Sequence, residues 1–142
     1  MMMMVMNNNF ISRMKPYAPV LVRIAMSLVF LWFGTNQLMH PDMWARLVPG
    51  WAAGMFIGGG YTVALMNGWF EAVLALTLLV GFQVRTVSLI LAIHLLGIAS
   101  TFGLSAVGAR DFGLSLATLS IFLNGFDILS LDRKLIRDKV VA

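Results

Sequence analysis

Cysteine is absent from the 142 residues, which removes disulfides, thiol redox relays, zinc knuckles and iron–sulfur ligation together. Charge is scarce as well: 11% of residues are charged and 60% are hydrophobic, and the mean hydropathy is +0.89. Soluble domains carry about a quarter charged residues, so the chain lies well outside that class. Its net charge of +4 is spread between apolar runs rather than gathered in one solvated patch. The basic residues therefore read as topology signals and not as a nucleic-acid surface.

What the chain does have is long apolar runs. A membrane span needs about 20 mostly apolar residues, and four candidates emerge at about 18–39, 61–82, 86–103 and 111–129. The opening MMMMVMNNNF is of low complexity, offers several start methionines and reads as part of a flexible cytoplasmic N-terminus over 1–16. Arg13 and Lys15 precede the first run as they would in a signal peptide. That run is too long for a signal core and lacks a small-x-small cleavage site, so it is taken as a retained first span. The segment HPDMWARLVPGWAAGMFIGGG differs from the rest. Tryptophan favours the headgroup boundary, which predicts an interfacial or shallow re-entrant helix near 42–56. Pro49 and Gly50 interrupt the segment and argue against a fifth span. Residues 132–142 form a basic cytoplasmic tail suited to an anionic leaflet.

Orientation follows from the loops. With the N-terminus inside, Arg13, Lys15, Arg85, Arg133, Lys134, Arg137 and Lys139 share one side, and only Arg46 and Arg110 lie on the other. This positive-inside bias places both termini in the cytoplasm of a multi-pass protein of the inner or plasma membrane. The expected fold is all-α, a four-transmembrane-helix antiparallel bundle with the interfacial helix between the first and second spans.

Small and polar residues recur along each span at steps of three and four, the spacing of a helix-packing seam. The seams expected are Arg23, Ser27, Phe30, Gly34 and Gln37; Ala64, Gly68, Glu71, Ala75 and Leu78; Val87, Ile90, His94, Gly97 and Thr101; and Gly113, Ala117, Ser120, Asn124 and Asp127. Facing one another, they give the bundle a polar centre line.

Glu71 is the only charge between Arg46 and Arg85. Counted from Tyr61 at about 1.5 Å per residue, it lies about 15 Å into its span; counted from Thr86, His94 lies about 12 Å into the next. Both fall near the middle of a hydrocarbon core of about 30 Å. Two readings of Glu71 stand. It is a carboxyl that ties helices together, or a proton acceptor beside a redox ligand with His94 as relay. Arg23 matches the depth of Asp127, a structural pair or an anion site that a charge swap would test. Gln37 approaches the level of Arg110 and Asp111, and Asp111 is placed to cap the fourth span. Gln37, Asn124, Arg110 and Asp111, with Arg23 and Asp127, make up the candidate ligand-binding seam. A bis-histidine haem needs two histidines at one depth, and His40 stands near the far interface. One histidine and one glutamate are too few ligands for a metal.

RIAMSLVFLWFGTNQLMHP, GWFEAVLALTLLVGFQVRT and RDFGLSLATLSIFLNGFDILSLD follow one another over roughly 20–133. In that order and spacing the chain resembles the DoxX family of small four-helix membrane proteins. Arg23, Glu71, Arg110 and Asp111 fall on the family-like motifs. The family takes its name from a membrane subunit associated with thiosulfate:quinone oxidoreductase. The resemblance therefore implies a membrane subunit of a quinone-linked redox complex, with a soluble oxidoreductase subunit as partner and quinone as the cofactor. A non-catalytic scaffold or chaperone-like partner is the alternative, and a small transporter, which would have to be a homo-oligomer, is the third.

Overall fold

The computed structural model describes residues 10–141, and among them there is helix and no strand. The elements are α1 (Ala18–Met39), α2 (Pro41–Ala45), α3 (Gly50–Ala53), α4 (Gly59–Val80), α5 (Val84–Phe102), α6 (Ala106–Asn124) and α7 (Leu131–Val141). Four helices are long and apolar enough to cross a membrane: Phe10–Met39, which contains α1, and then α4, α5 and α6. Their outward faces carry exposed Leu21, Trp32, Trp69, Leu76, Ile93 and Leu123. Such a surface suits hydrocarbon, where each span satisfies its backbone internally and apolar side chains meet lipid. The protein is a multi-pass, all-α membrane bundle.

Packing is strongest within two antiparallel pairs, α1 on α4 and α5 on α6. The first pair crosses at two glycines. A Cβ added to Gly34 would stand 2.7 Å from the Ala72 nitrogen, and one added to Gly68 would stand 2.9 Å from the Gly34 carbonyl oxygen. The backbones touch there, as small residues at a membrane helix interface allow. Phe30, Leu78, Val84, Leu91, Leu95 and Ile121 then fill the space between the pairs.

Several boundaries differ from the sequence expectation. Residues 1–9 of the expected flexible N-terminus, and Ala142, lie outside the described residues, while Phe10–Tyr17 is helical and runs straight into α1. The interfacial segment is two short helices rather than one. Pro41 opens the first at its favoured N-terminal position, and the chain turns extended at Pro49 before the second. The fourth span begins five residues early, because Ser105 caps it by accepting a hydrogen bond from the Gly108 amide at 3.0 Å. Asp111 is therefore not the cap; it is buried farther along the helix. Gly125, at φ 77°, ends α6, so Asp127 stands in the loop before α7.

Two of the four expected seams face inward as drawn. In α1 Arg23, Ser27, Phe30, Gly34 and Gln37 are buried, and in α4 so are Ala64, Gly68, Glu71, Ala75 and Leu78. The other two are rotated. The inward face of α5 is Val84, Val87, Ser88, Leu91, Ala92, Leu95 and Ala99, with Ile90 and Gly97 turned out. The inward face of α6 is Gly108, Asp111, Ser115, Thr118 and Ile121, while Gly113, Ser120 and Asn124 face out. Both helices are apolar nearly all round, so several faces satisfy the same three-four spacing and composition cannot choose among them.

The expected tail is also part of the bundle at its root. Asp132 accepts from the Gln83 and Val84 amides at 2.8 Å each, and its own amide donates to the Gly81 carbonyl. It thereby satisfies the open first turn of α5 from about fifty residues away in sequence. Gly81 cannot be replaced in this joint: its φ is 75°, and a Cβ there would lie 2.6 Å from Ser130 Cα.

Candidate functional site

Two buried polar clusters lie at different heights in the bundle. The first joins α1, the C-terminal end of α4 and the loop before α7. Arg23, 2% exposed, donates from Nε to Asp127 Oδ2 at 2.6 Å and from Nη2 to Asp127 Oδ1 at 3.3 Å. Its Nη1 donates to the carbonyls of Leu78, at 2.9 Å, and Leu79. Those carbonyls are among the last of α4, where intrahelical donors run out; that of Leu78 also accepts from the Gly81 amide at 3.0 Å. Asp127 Oδ1 also accepts from the Leu129 amide at 2.9 Å. The ion pair expected from depth is present, and Arg23 additionally closes a helix end.

The second cluster surrounds Glu71, which is 3% exposed. Helical side chains lean toward their own N-terminus, so across the antiparallel α1–α4 crossing Gln37 and Glu71 lean toward each other. Gln37 Nε2 donates to Glu71 Oε2 at 2.9 Å. Asn67, one turn before Glu71 on α4, donates from Nδ2 to Gln37 Oε1 at 2.7 Å and to Glu71 Oε1 at 3.2 Å. From α5, His94 Nε2 stands 3.3 Å from Glu71 Oε1, and its ring lies against Phe70 with centroids 4.8 Å apart. Three helices thus converge on one carboxyl.

Glu71 and His94 line a cavity of about 700 Å³. Its walls are mostly apolar, with Phe30, Val63, Ile98 and Leu114 among them, and its polar groups are few. This is the composition of a site for a largely apolar ligand with a polar end. The α2–α3 segment contributes Trp44, Pro49 and Trp51 to the wall. Trp44 is tethered there: its Nε1 donates to Asn36 Oδ1 at 2.9 Å and its ring meets Phe33 edge-on at 5.8 Å. From α6, Arg110 Nε donates to the buried Asp111 Oδ1 at 2.7 Å, and the guanidinium stands 5.1 Å above the same Phe33 ring.

Of the candidate residues, Glu71, His94 and Gln37 form one cluster, and Arg110 and Asp111 line the same cavity. Arg23 and Asp127 belong to the separate first cluster. Asn124 belongs to neither: it is exposed and donates only to the carbonyl of its neighbour Gly125. Sequence reasoning missed Asn67 and the Trp44 tether. Asn67 stands four residues before Glu71, the spacing that puts two side chains on one helix face, and that signal was readable. Among the described residues no group of three or more His, Asp or Glu is arranged to hold a metal ion.

The DoxX family model matches residues 18–104. The match takes in α1 to α5 and with them Arg23, Gln37, Asn67, Glu71 and His94. The stretch from Arg110 to Asp132, which carries the last of the resembling motifs, lies beyond it. Neither curated proteins nor solved structures gave a match.

Proposed function

The chain belongs to the DoxX family, and from that membership we propose that it is the membrane subunit of a quinone-linked redox complex, with the Glu71 cavity as its quinone site. The observation that carries the reading is a buried carboxyl, held by Gln37 and Asn67 and touched by His94, in the wall of an apolar cavity of about 700 Å³. The few polar groups at one end of the cavity suit the head of a quinone, and the apolar walls suit its tail. A bound quinone supplies uptake and release of electrons coupled to protons. Within the protein, Gln37 and Asn67 fix the carboxyl, the Glu71–His94 contact gives a proton two adjoining resting places, and the apolar walls keep water out. With no cysteine the chain lacks thiols and iron–sulfur ligands of its own, so electrons come from a soluble oxidoreductase partner. The basic residues cluster at the terminal ends of the bundle, which supports cytoplasmic termini and residence in the inner or plasma membrane.

The test is quinone content after purification of the full chain from its membrane in mild detergent, by solvent extraction and absorbance. The wild-type protein is expected to carry quinone and Glu71→Gln to lose it while remaining folded. Equal quinone in both, or none in either after reconstitution with added quinone, overturns the assignment. Tight association with a soluble oxidoreductase that is indifferent to Glu71 and to quinone favours the scaffold reading instead.

A further inference from the structure

A second concave surface of about 630 Å³ lies at the α7 end of the bundle, below the Arg23 cluster. Val80, Leu129 and Leu131 give it an apolar wall, and Arg133, Lys134 and Arg137 give it a cationic one. Residues 133 and 137 are four apart and 134 and 137 three apart, so the three cations share one face of α7. The root of that helix is fixed, since Asp132 is tied to the α4–α5 turn and the Arg133 amide donates to Ser130 Oγ. The two acidic residues nearby offset the cations only in part: Asp132 is turned to the Gln83 and Val84 amides, and Asp138 pairs loosely with Arg137 at 3.7 Å between exposed side chains.

Height in the membrane identifies the occupant. Val80 is the last residue of α4, whose 22 residues span about 33 Å, close to the thickness of a hydrocarbon core. An exposed Val80 and Leu129 therefore meet the headgroup-proximal part of the acyl chains, and the cations just beyond them stand at the level of the headgroup phosphates. We propose that this surface is a binding site for one anionic phospholipid, its phosphate held by Arg133, Lys134 and Arg137 and its proximal acyl chain on Val80 and Leu129. The site is independent of the Glu71 cavity and of any ligand there.

Native mass spectrometry of the full chain, released from phosphatidylcholine bilayers containing a minority of phosphatidylglycerol, reads this directly. One phosphatidylglycerol is expected to remain on the wild-type chain in preference to phosphatidylcholine. The triple variant Arg133→Gln/Lys134→Gln/Arg137→Gln should lose that preference roughly a hundredfold, from the loss of three cations at an anionic surface. A control of equal charge, Arg13→Gln/Lys15→Gln/Lys139→Gln, should keep it. Leu129→Ser, which retains every cation, should weaken lipid retention, and soluble glycerol phosphate should fail to displace the lipid. Equal losses in both triple variants would mean diffuse attraction and overturn the site. Displacement by glycerol phosphate, or indifference to Leu129→Ser, would make it a phosphate site without a lipid's acyl contact and overturn it as well.

Discussion

The Arg23 and Glu71 clusters begin from similar materials, a buried carboxylate met by nitrogen donors from other elements, and end differently. Asp127 receives two bonds from Arg23 and one from a backbone amide, and Arg23 Nη1 donates to two helix-end carbonyls. Glu71 is held by neutral amides and a histidine, and its cluster opens on a cavity. A saturated charge pair is a fastening: nothing is left over for a ligand, and removing either partner strands the other. A carboxyl beside a cavity keeps capacity for something that arrives from outside. The same residue type is thus structural at one height of the bundle and a candidate for binding at another.

The difference is broken most severely at the fastening. Arg23→Met leaves Asp127 buried without its counter-charge and takes the side-chain donor from the Leu78 and Leu79 carbonyls. It should cost about 3–5 kcal/mol, measured as the shift in reversible unfolding by denaturing detergent in mixed micelles. A charge swap, Arg23→Asp with Asp127→Arg, restores the sum of charges but should not restore stability. The carbonyls of Leu78 and Leu79 would then face a carboxylate at position 23 and not a donor. Recovery in the swap would mean that the pair, and not the helix-end bonds, carries the cluster.

Next in size is the crossing that brings Gln37 to Glu71. Gly34→Ala places a methyl group 2.7 Å from the Ala72 nitrogen and 2.8 Å from the Gly68 carbonyl oxygen. Neither atom is the end of a flexible side chain, so α1 and α4 must part, at a cost of about 1–3 kcal/mol of overpacking. The same separation lengthens the Gln37–Glu71 bond, so the variant should lose ligand as well as stability. A neutral Gly34→Ala would show that the two helices are held by their other contacts.

Glu71→Gln should behave in the opposite sense. Gln37 can turn its amide to donate or accept, so the cluster keeps most of its hydrogen bonds. The stability change should stay below about 1 kcal/mol, the net worth of an ordinary hydrogen bond. The effect belongs in binding, as a loss of cavity ligand. A loss of stability comparable to that of Arg23→Met would turn Glu71 into a second fastening and remove the contrast between the clusters.

The sequence makes the first half of the bundle legible and the second half much less so. In α1 and α4 the strongly polar residues Arg23, Gln37 and Glu71 stand in mostly apolar helices, and hydrocarbon forces them onto the inner face. In α5 and α6 the informative residues are serines, threonines, alanines and glycines, which tolerate either face because a hydroxyl can bond its own helix. Ser88, Thr118 and Ser120 all do so, to carbonyls three or four residues back. His94 is found at the cluster although its expected seam is rotated, since a long side chain half-buried at the edge of the interface still reaches Glu71. The role of Asp132 could not be read locally, because the amides it caps lie in another helix.

That ambiguity ends in the smallest predicted effect. Asn124 falls on the three-four seam read from the sequence, where a buried amide would need partners from other helices and its loss would cost a kilocalorie or more. In the structure it is exposed, one residue before the glycine that ends α6, and bonds only its neighbour's carbonyl. Asn124→Ala should therefore shift stability by no more than about 0.5 kcal/mol, as exposed positions do, and leave cavity binding unchanged. Thr118→Val is its counterpart on the inner face: the Thr118 hydroxyl is fully buried and bonds the Leu114 carbonyl, and it should be the costlier of the two. The reverse order, with Asn124 the costlier, would rotate α6 back toward the register read from the sequence and take Asp111 away from the cavity wall.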